Sequence, residues 1–182
     1  EDALGGARSQ ASIAGNVHFV AGDEGHAVTI VKALLSFLPQ NNMEPPPDLV
    51  FEDAVVDDPA MDDLIPEDPR QAYDIREIIA RLVDRAGFFE VQSDFAPNIV
   101  VGFTRMAGMV VGVVANQPMV MAGAIDLNAA DKAARFIRTC NVFNIPIMTL
   151  VDVPGFLPGV AQEHGGIIRH GAKMLFAYAA AT

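Results

Sequence analysis

Residues 150–173 read "LVDVPGFLPGVAQEHGGIIRHGAK", an apolar run that passes through Pro154, Gly155, Pro158, Gly159, Gly165 and Gly166 into a helical pattern. Such residue types do chemistry through the backbone. Gly155 and Gly159 permit positive φ and close approach of a ligand. Gly165 and Gly166 are expected at a helix start, where free amide N–H groups and the positive end of the helix dipole face outward. That combination suits an anionic oxygen: a phosphate, a carboxylate or a developing enolate. The same glycines also fit a tight crossover that needs them for geometry alone.

Side-chain chemistry is sparse elsewhere. "DVPG" at 152–155 has the Asp-x-x-Gly form of a γ-phosphate sensor, but the chain has no Gly-x4-Gly-Lys-Ser/Thr phosphate cradle. "GAKM" at 171–174 faintly resembles a biotin-attachment tripeptide, yet sits in a helical pattern and not at a hairpin tip. His18, His26, His164 and His170 show no i, i+4 pairing, so no metal site is expected. Cys140 falls on an inner helical stripe, the place of a small buried residue and not of an activated nucleophile. No Gly-x-Ser-x-Gly elbow exists, and no catalytic side chain is assigned.

The elements that must position the glycine loop follow from periodicity. "DEGHAVTIVKALLSFLP" predicts a helix behind an Asp23 cap, with Ala27, Ile30, Val31, Leu34, Leu35 and Leu38 as its buried stripe and Pro39 as its stop. "DIREIIARLVDR" predicts another, Asp74 and Glu77 having capping-box spacing. Three β runs follow, "FFEVQSDF", "NIVVGFTRM" and "MVVGVVAN", the last two joined as a hairpin across Ala107 and Gly108. "NAADKAARFIRTCNVFN" predicts a helix capped by Asn128, with Ala133, Phe136, Ile137, Cys140 and Phe143 inward. A buried strand "PIMTLVDV" and the helix "GGIIRHGAKMLFAYAAA" complete an α/β order.

Composition bounds the rest. The 182 residues are 51% hydrophobic with mean hydropathy +0.29, enough for a packed core. The net charge of −11 is concentrated at Glu52, Asp53, Asp57, Asp58, Asp62, Asp63, Glu67 and Asp68, in a proline-rich stretch. Residues 41–70 therefore read as a solvated linker between two packed regions, and nucleic acid is excluded as a partner. No apolar run reaches the roughly 18–20 residues of a membrane span. The first residues show no secretory signal, and the single cysteine suits a reducing cytoplasm.

Taken together, "VDVPGFLPGVAQEHGGIIRHGAKMLFAYAAAT", "GVVANQPMVMAGAIDLNAADKAARFIRTCNVFNIP" and "LGGARSQASIAGNVHFVAGDEGHAV" resemble the carboxyltransferase (β) subunits of biotin-dependent acyl-CoA carboxylases, nearest the propionyl-CoA carboxylase β chain and the methylmalonyl-CoA carboxyltransferase large subunit. The resemblance implies a crotonase-like ββα spiral, present in part. It implies that residues 1–40 end one carboxyltransferase domain and 71–182 begin a second. The paired oxyanion segments would lie upstream of Glu1 and beyond Thr182.

The resemblance further implies transfer of a carboxyl group between carboxybiotin and the α-carbon of an acyl-CoA. Biotin would ride on a carrier protein, and the acyl group would arrive as a coenzyme A thioester. Implied partners are a biotin carboxylase, the biotin carrier subunit and further copies of the chain. The implied compartment is the cytoplasm, or the mitochondrial matrix in a eukaryote. Gly155, Phe156, Leu157, Gly159, Gly165 and Gly166 would line the biotin and acyl pocket. Asn116, Gln117, Gln162 and Glu163 would shape it. Arg169, His170 and Lys173 divide between a helical face or subunit contact and a contact with CoA phosphates. Two other readings stand beside this one: the related subunit of a sodium-linked decarboxylase, and an inert assembly module.

Overall fold

The computed structural model describes residues 2–51, 58–68, 70–85 and 87–181. Three helices open the chain: α1 (Asp2–Gly5), α2 (Ala7–Ser12) and α3 (Glu24–Leu35). Asp23 caps α3 as expected, accepting from His26 N at 2.7 Å. The helix stops at Leu35, and its stripe is only half covered: Ala27, Ile30 and Leu34 are partly buried, whereas Val31 and Leu35 are exposed. The contact that holds this segment comes just after it, where Phe37 meets Phe89 and Phe103 with ring centroids 5.7 and 5.8 Å apart.

The described part of 41–70 is largely exposed, as a solvated stretch should be, with one 3-10 turn at Pro59–Met61. Asp58 caps that turn and pairs with Arg81 at 2.7 Å, and Leu49 N donates to Gly108 O at 3.0 Å. The acids Glu52, Asp53 and Asp57 lie outside the described residues.

The core is a four-stranded sheet in the order β1 (Phe89–Val91), β2 (Ile99–Met106), β3 (Met109–Asn116) and β4 (Ile147–Leu150). The first three strands are antiparallel, and β4 joins β3 in parallel. Runs of β-branched residues buried on both faces make β2 and β3 strands. Ala107 and Gly108, at φ 51° and 81°, give the expected two-residue hairpin, and the Asp84 carboxylate accepts from both of their amides.

Alternation along the strands divides two apolar layers. Val100, Val113 and Ala115 meet Ile75 and Ile79 of α4 (Ile75–Leu82). Val101, Phe103 and Val114 meet Ala133, Phe136, Ile137 and Cys140 of α5 (Leu127–Val142). The return through α5 to the parallel β4 is the ββα unit.

Three expectations are corrected. The α5 cap is Asp126, accepting from Ala129 N at 2.8 Å, and Asn128 lies inside the first turn. The strand after α5 ends at Leu150 and is half exposed, because β4 is the sheet edge. The last helix is two: α6 (Val160–Gly165) and α7 (Ile167–Ala180), broken at Gly166, whose φ of 90° and ψ of 45° no helix can continue through. Among the described residues no helix is long and apolar enough to cross a membrane.

Candidate functional site

The loop from Val151 to Gly159 leaves β4 and is fastened at three points. At its entry Asn116 extends the β3–β4 ladder with a side chain: its Oδ1 accepts from Asp152 N at 2.8 Å and its Nδ2 donates to Asp152 O. Gly123, at φ 75°, packs against this amide, where a Cβ would come within 2.5 Å of Asn116 Nδ2. Tyr73 donates its hydroxyl to Asp152 Oδ2 at 2.7 Å. Burial, and then the bond to Asp152, push the Tyr73 phenol up to about 12.

Gln117 is buried beside this clamp. Its Oε1 accepts from Ile75 N at 3.3 Å and Met119 N at 3.4 Å, and its Nε2 donates to Asp74 Oδ1 at 2.6 Å. Asp74 caps α4 through Arg76 N at 2.9 Å. Burial works to raise the Asp74 pKa, but the bonds from Arg76 N and the Gln117 amide, with the Arg76 guanidinium, outweigh it and hold it below the usual range. Asn116 and Gln117 thus tie the start of α4 to the end of β4.

The middle of the loop is sewn to the chain before α5. Ile125 N donates to Gly155 O at 3.0 Å, and Leu157 N donates to Ile125 O at 2.8 Å. The Phe156 ring seats on Gly171 of α7, where a Cβ would come within 2.7 Å of it. Gly155 and Gly159 both stand at φ 137°, a conformation that needs glycine, yet nothing lies within 4 Å of the Cβ either lacks. The Cβ side of each faces open space, with Gly159 exposed and Gly155 partly buried, which suits a ligand better than packing.

At the exit, Gln162 Oε1 accepts from Leu127 N at 3.1 Å, joining α6 to α5. Glu163 is exposed. Gly166 stands at the expected helix start, as the N-cap of α7. Gly165 ends α6 against Leu127, whose Cδ1 a Cβ would approach to 2.5 Å. The Gly166 amide is engaged by Glu163 O at 3.0 Å. A separate short helix, α6, precedes it from Val160, where Gly159 turns the chain.

Arg169, His170 and Lys173 stand on α7. His170 Nδ1 and Lys173 Nζ meet the two Asp131 carboxylate oxygens at 2.7 and 2.9 Å, a contact between α7 and α5. Arg169 reaches back to Gly165 O at 3.4 Å. Cys140 is buried, and burial pushes its thiol up to about 12, far from a nucleophile. A cavity of about 670 Å³ lies apart from the loop, between residues 14–16 and α5, with Phe95, Arg135 and Arg138 among its walls.

Residue types alone missed Tyr73, Asn98 and Lys132. Asn98 donates to Ala124 O at 2.9 Å and to Asp126 Oδ1 at 3.1 Å, holding the segment to which the loop is sewn. A tyrosine before a helix cap and an asparagine before a strand carry no signal of their partners.

The chain superposes with a TM-score of 0.97 and 53% identity on the crystal structure of the transcarboxylase 12S hexamer assembly, covering 100% of this chain and 35% of that one. The fold is of the crotonase-like α/β class shared with these carboxyltransferase structures. The chain belongs to the carboxyl transferase domain family, which matches residues 1–182. It is 55% identical to the propionyl-CoA carboxylase beta chain of Saccharopolyspora erythraea, over 98% of this chain and 34% of that one. It is 48% identical to the methylmalonyl-CoA decarboxylase subunit alpha of Propionigenium modestum, over 98% and 35%. The chain spans about a third of the length of these relatives.

Proposed function

We propose that the protein carrying this chain moves a carboxyl group between biotin on a carrier protein and the α-carbon of a short acyl-CoA, propionyl-CoA or methylmalonyl-CoA. The 55% identity to a propionyl-CoA carboxylase beta chain across nearly the whole chain carries this reading. Residues 1–40 are then the end of one carboxyltransferase domain, 41–70 the linker, and 71–182 the first part of a second. Partners are a biotin carboxylase, the biotin carrier subunit and further copies of the chain, in the cytoplasm or a mitochondrial matrix. The exposed α7 residues Ile168, Leu175 and Phe176 favour burial in such an assembly.

The loop fits biotin and a thioester by its chemistry. Biotin, when bound, supplies or accepts the carboxyl group. Gly155 and Gly159 leave the backbone open to a flat ring, while Phe156 and Leu157 offer apolar surface that excludes water. Gly165 and Gly166 set the angle between α6 and α7 behind that wall, and Gln162 and Glu163 stand on its exit side. Asn116 and Gln117 hold the wall in place. Catalysis here rests on positioning and electrostatics, without a side-chain nucleophile.

The likeness to a methylmalonyl-CoA decarboxylase subunit favours a second reading, in which the same site moves the carboxyl group from methylmalonyl-CoA to biotin. One assay covers both. Methylmalonyl-CoA is incubated with the protein, extended to the length of its relatives, with and without free biotin, and the acyl-CoA is followed by chromatography. Biotin-dependent conversion to propionyl-CoA is the expected result. Conversion that ignores biotin, or none, overturns the proposal.

A further inference from the structure

The middle of the Val151–Gly159 loop is held by backbone bonds and its exit by Gln162, but its entry depends on side chains from two other elements. Asn116 grips the Asp152 backbone from the end of β3. Tyr73 grips the Asp152 carboxylate from 79 residues away, at the point where the acidic segment meets α4. Val153 packs against the main apolar core beside the entry, but from Pro154 onward the loop has little packing of its own. A Cβ at Gly155 or Gly159 would meet nothing within 4 Å, and the Phe156 ring seats on Gly171.

We infer that Tyr73 is a positioning residue: its hydrogen bond to Asp152, with the Asn116 clamp, sets where the Pro154–Gly159 loop stands against α7. The inference rests on the reading of that loop as a wall of the biotin and acyl pocket. A displaced entry swings Gly155 and Phe156 together, because Asp152 lies only three residues before Gly155 in the chain. Misplacement of about an ångström at a reacting site slows reaction far more than it weakens binding. Tyr73 keeps its proton through the working pH range, since its phenol is pushed up to about 12, so it serves as a donor throughout.

The test uses the full-length protein with Tyr73→Phe, which removes only the hydroxyl, with Asp152→Ala, and with both changes. Two quantities are read. The first is hydrogen exchange at the Leu157 amide, which bonds to Ile125 O and touches neither altered side chain. The second is kcat and KM for methylmalonyl-CoA in the biotin-dependent assay.

Each single change is expected to speed exchange at Leu157 about tenfold and to lower kcat about five- to tenfold, with KM within about twofold. The double variant is expected to match the singles, because both remove one interaction. Leu157 exchange unchanged in Tyr73→Phe, or losses that multiply in the double variant, overturns the inference. Protection of the α5 amides in every variant confirms an intact fold. A wild-type protein that moves no carboxyl group overturns the carboxyl-transfer reading instead, and Leu157 exchange still decides the clamp.

Discussion

Lys132 is 2% exposed, and its ammonium donates to the carbonyls of Phe95, Ala96 and Ile99 at 2.7, 3.3 and 2.8 Å. It closes the turn that delivers the chain into β2 and ties that turn to α5. Burial lowers its pKa to about 8 from the model-peptide value of 10.5. The unfolded chain thus holds this proton more tightly than the folded one, and the cost of the buried charge is full below about pH 8. It shrinks as pH rises toward 10.5, so this group makes stability rise with pH in that window. Lys132→Ala is expected to cost about 2 kcal/mol at pH 7, since it takes the ammonium from three carbonyls, of which Ala96 O keeps a bond from Ile99 N at 3.1 Å. The variant should also lack the wild-type gain between pH 8 and 10. Urea denaturation midpoints at the three pH values check both points, and a variant that retains the gain shows that another group titrates there.

Among the elements, α5 bears most of the site: its first turn meets the loop exit through Leu127, and the residues before it meet the loop middle through Ile125. Its cap is therefore a local feature with a distant effect. Asp126 accepts from Ala129 N and also from Asn98 Nδ2, so Asp126→Ala removes a cap and strips one acceptor from a buried amide. The expected loss is about 1–2 kcal/mol. Asn128→Ala, at the position that spacing alone favours as the cap, should change stability by less than about 0.5 kcal/mol. Thermal denaturation of the two variants decides between them, and the reverse order of losses restores Asn128 as the cap.

Across the whole molecule, the N-terminal segment is joined to the sheet through aromatic rings, one cation and the buried Gln92, which donates to Gly15 O at 2.7 Å and to His18 O at 3.1 Å. Arg105 is 5% exposed, donates to Ser36 O at 2.5 Å and lies over the Phe37 ring, 4.7 Å from its centroid. Phe19 and Phe37 both reach Phe89, with centroids 5.1 and 5.7 Å apart. Because α3 itself contributes no buried residue, this joint is expected to open apart from the α5 core. Arg105→Ala is expected to speed hydrogen exchange in α3 about tenfold or more, through loss of the hydrogen bond and the ring contact, while α5 keeps its protection. Equal acceleration in α3 and α5 contradicts a separable joint.

What the sequence determined by itself is what short-range periodicity and local hydrogen bonding decide. The β2–β3 hairpin at Ala107–Gly108, the Asp23 and Asp74 caps, the inward stripe of α5 with Cys140, and the βαβ order all follow from neighbours within a few residues. The glycine loop was legible as a turn between a strand and a helix, and its motif carried the family. Tertiary structure decided the rest. Asp126 won the α5 cap from Asn128 because it also serves Asn98, which lies 28 residues earlier. A separate helix, α6, precedes the expected start because Gly165 must lie against Leu127 and Gly166 must turn left-handed to redirect the chain into α7. β4 is half exposed because it is an edge, which no strand's own residues reveal. The Tyr73–Asp152 bond and the Lys132 cage join groups 79 and 33–37 residues apart. A hydrogen bond needs its partner within about 3 Å, and only the packed chain brings such distant groups that close.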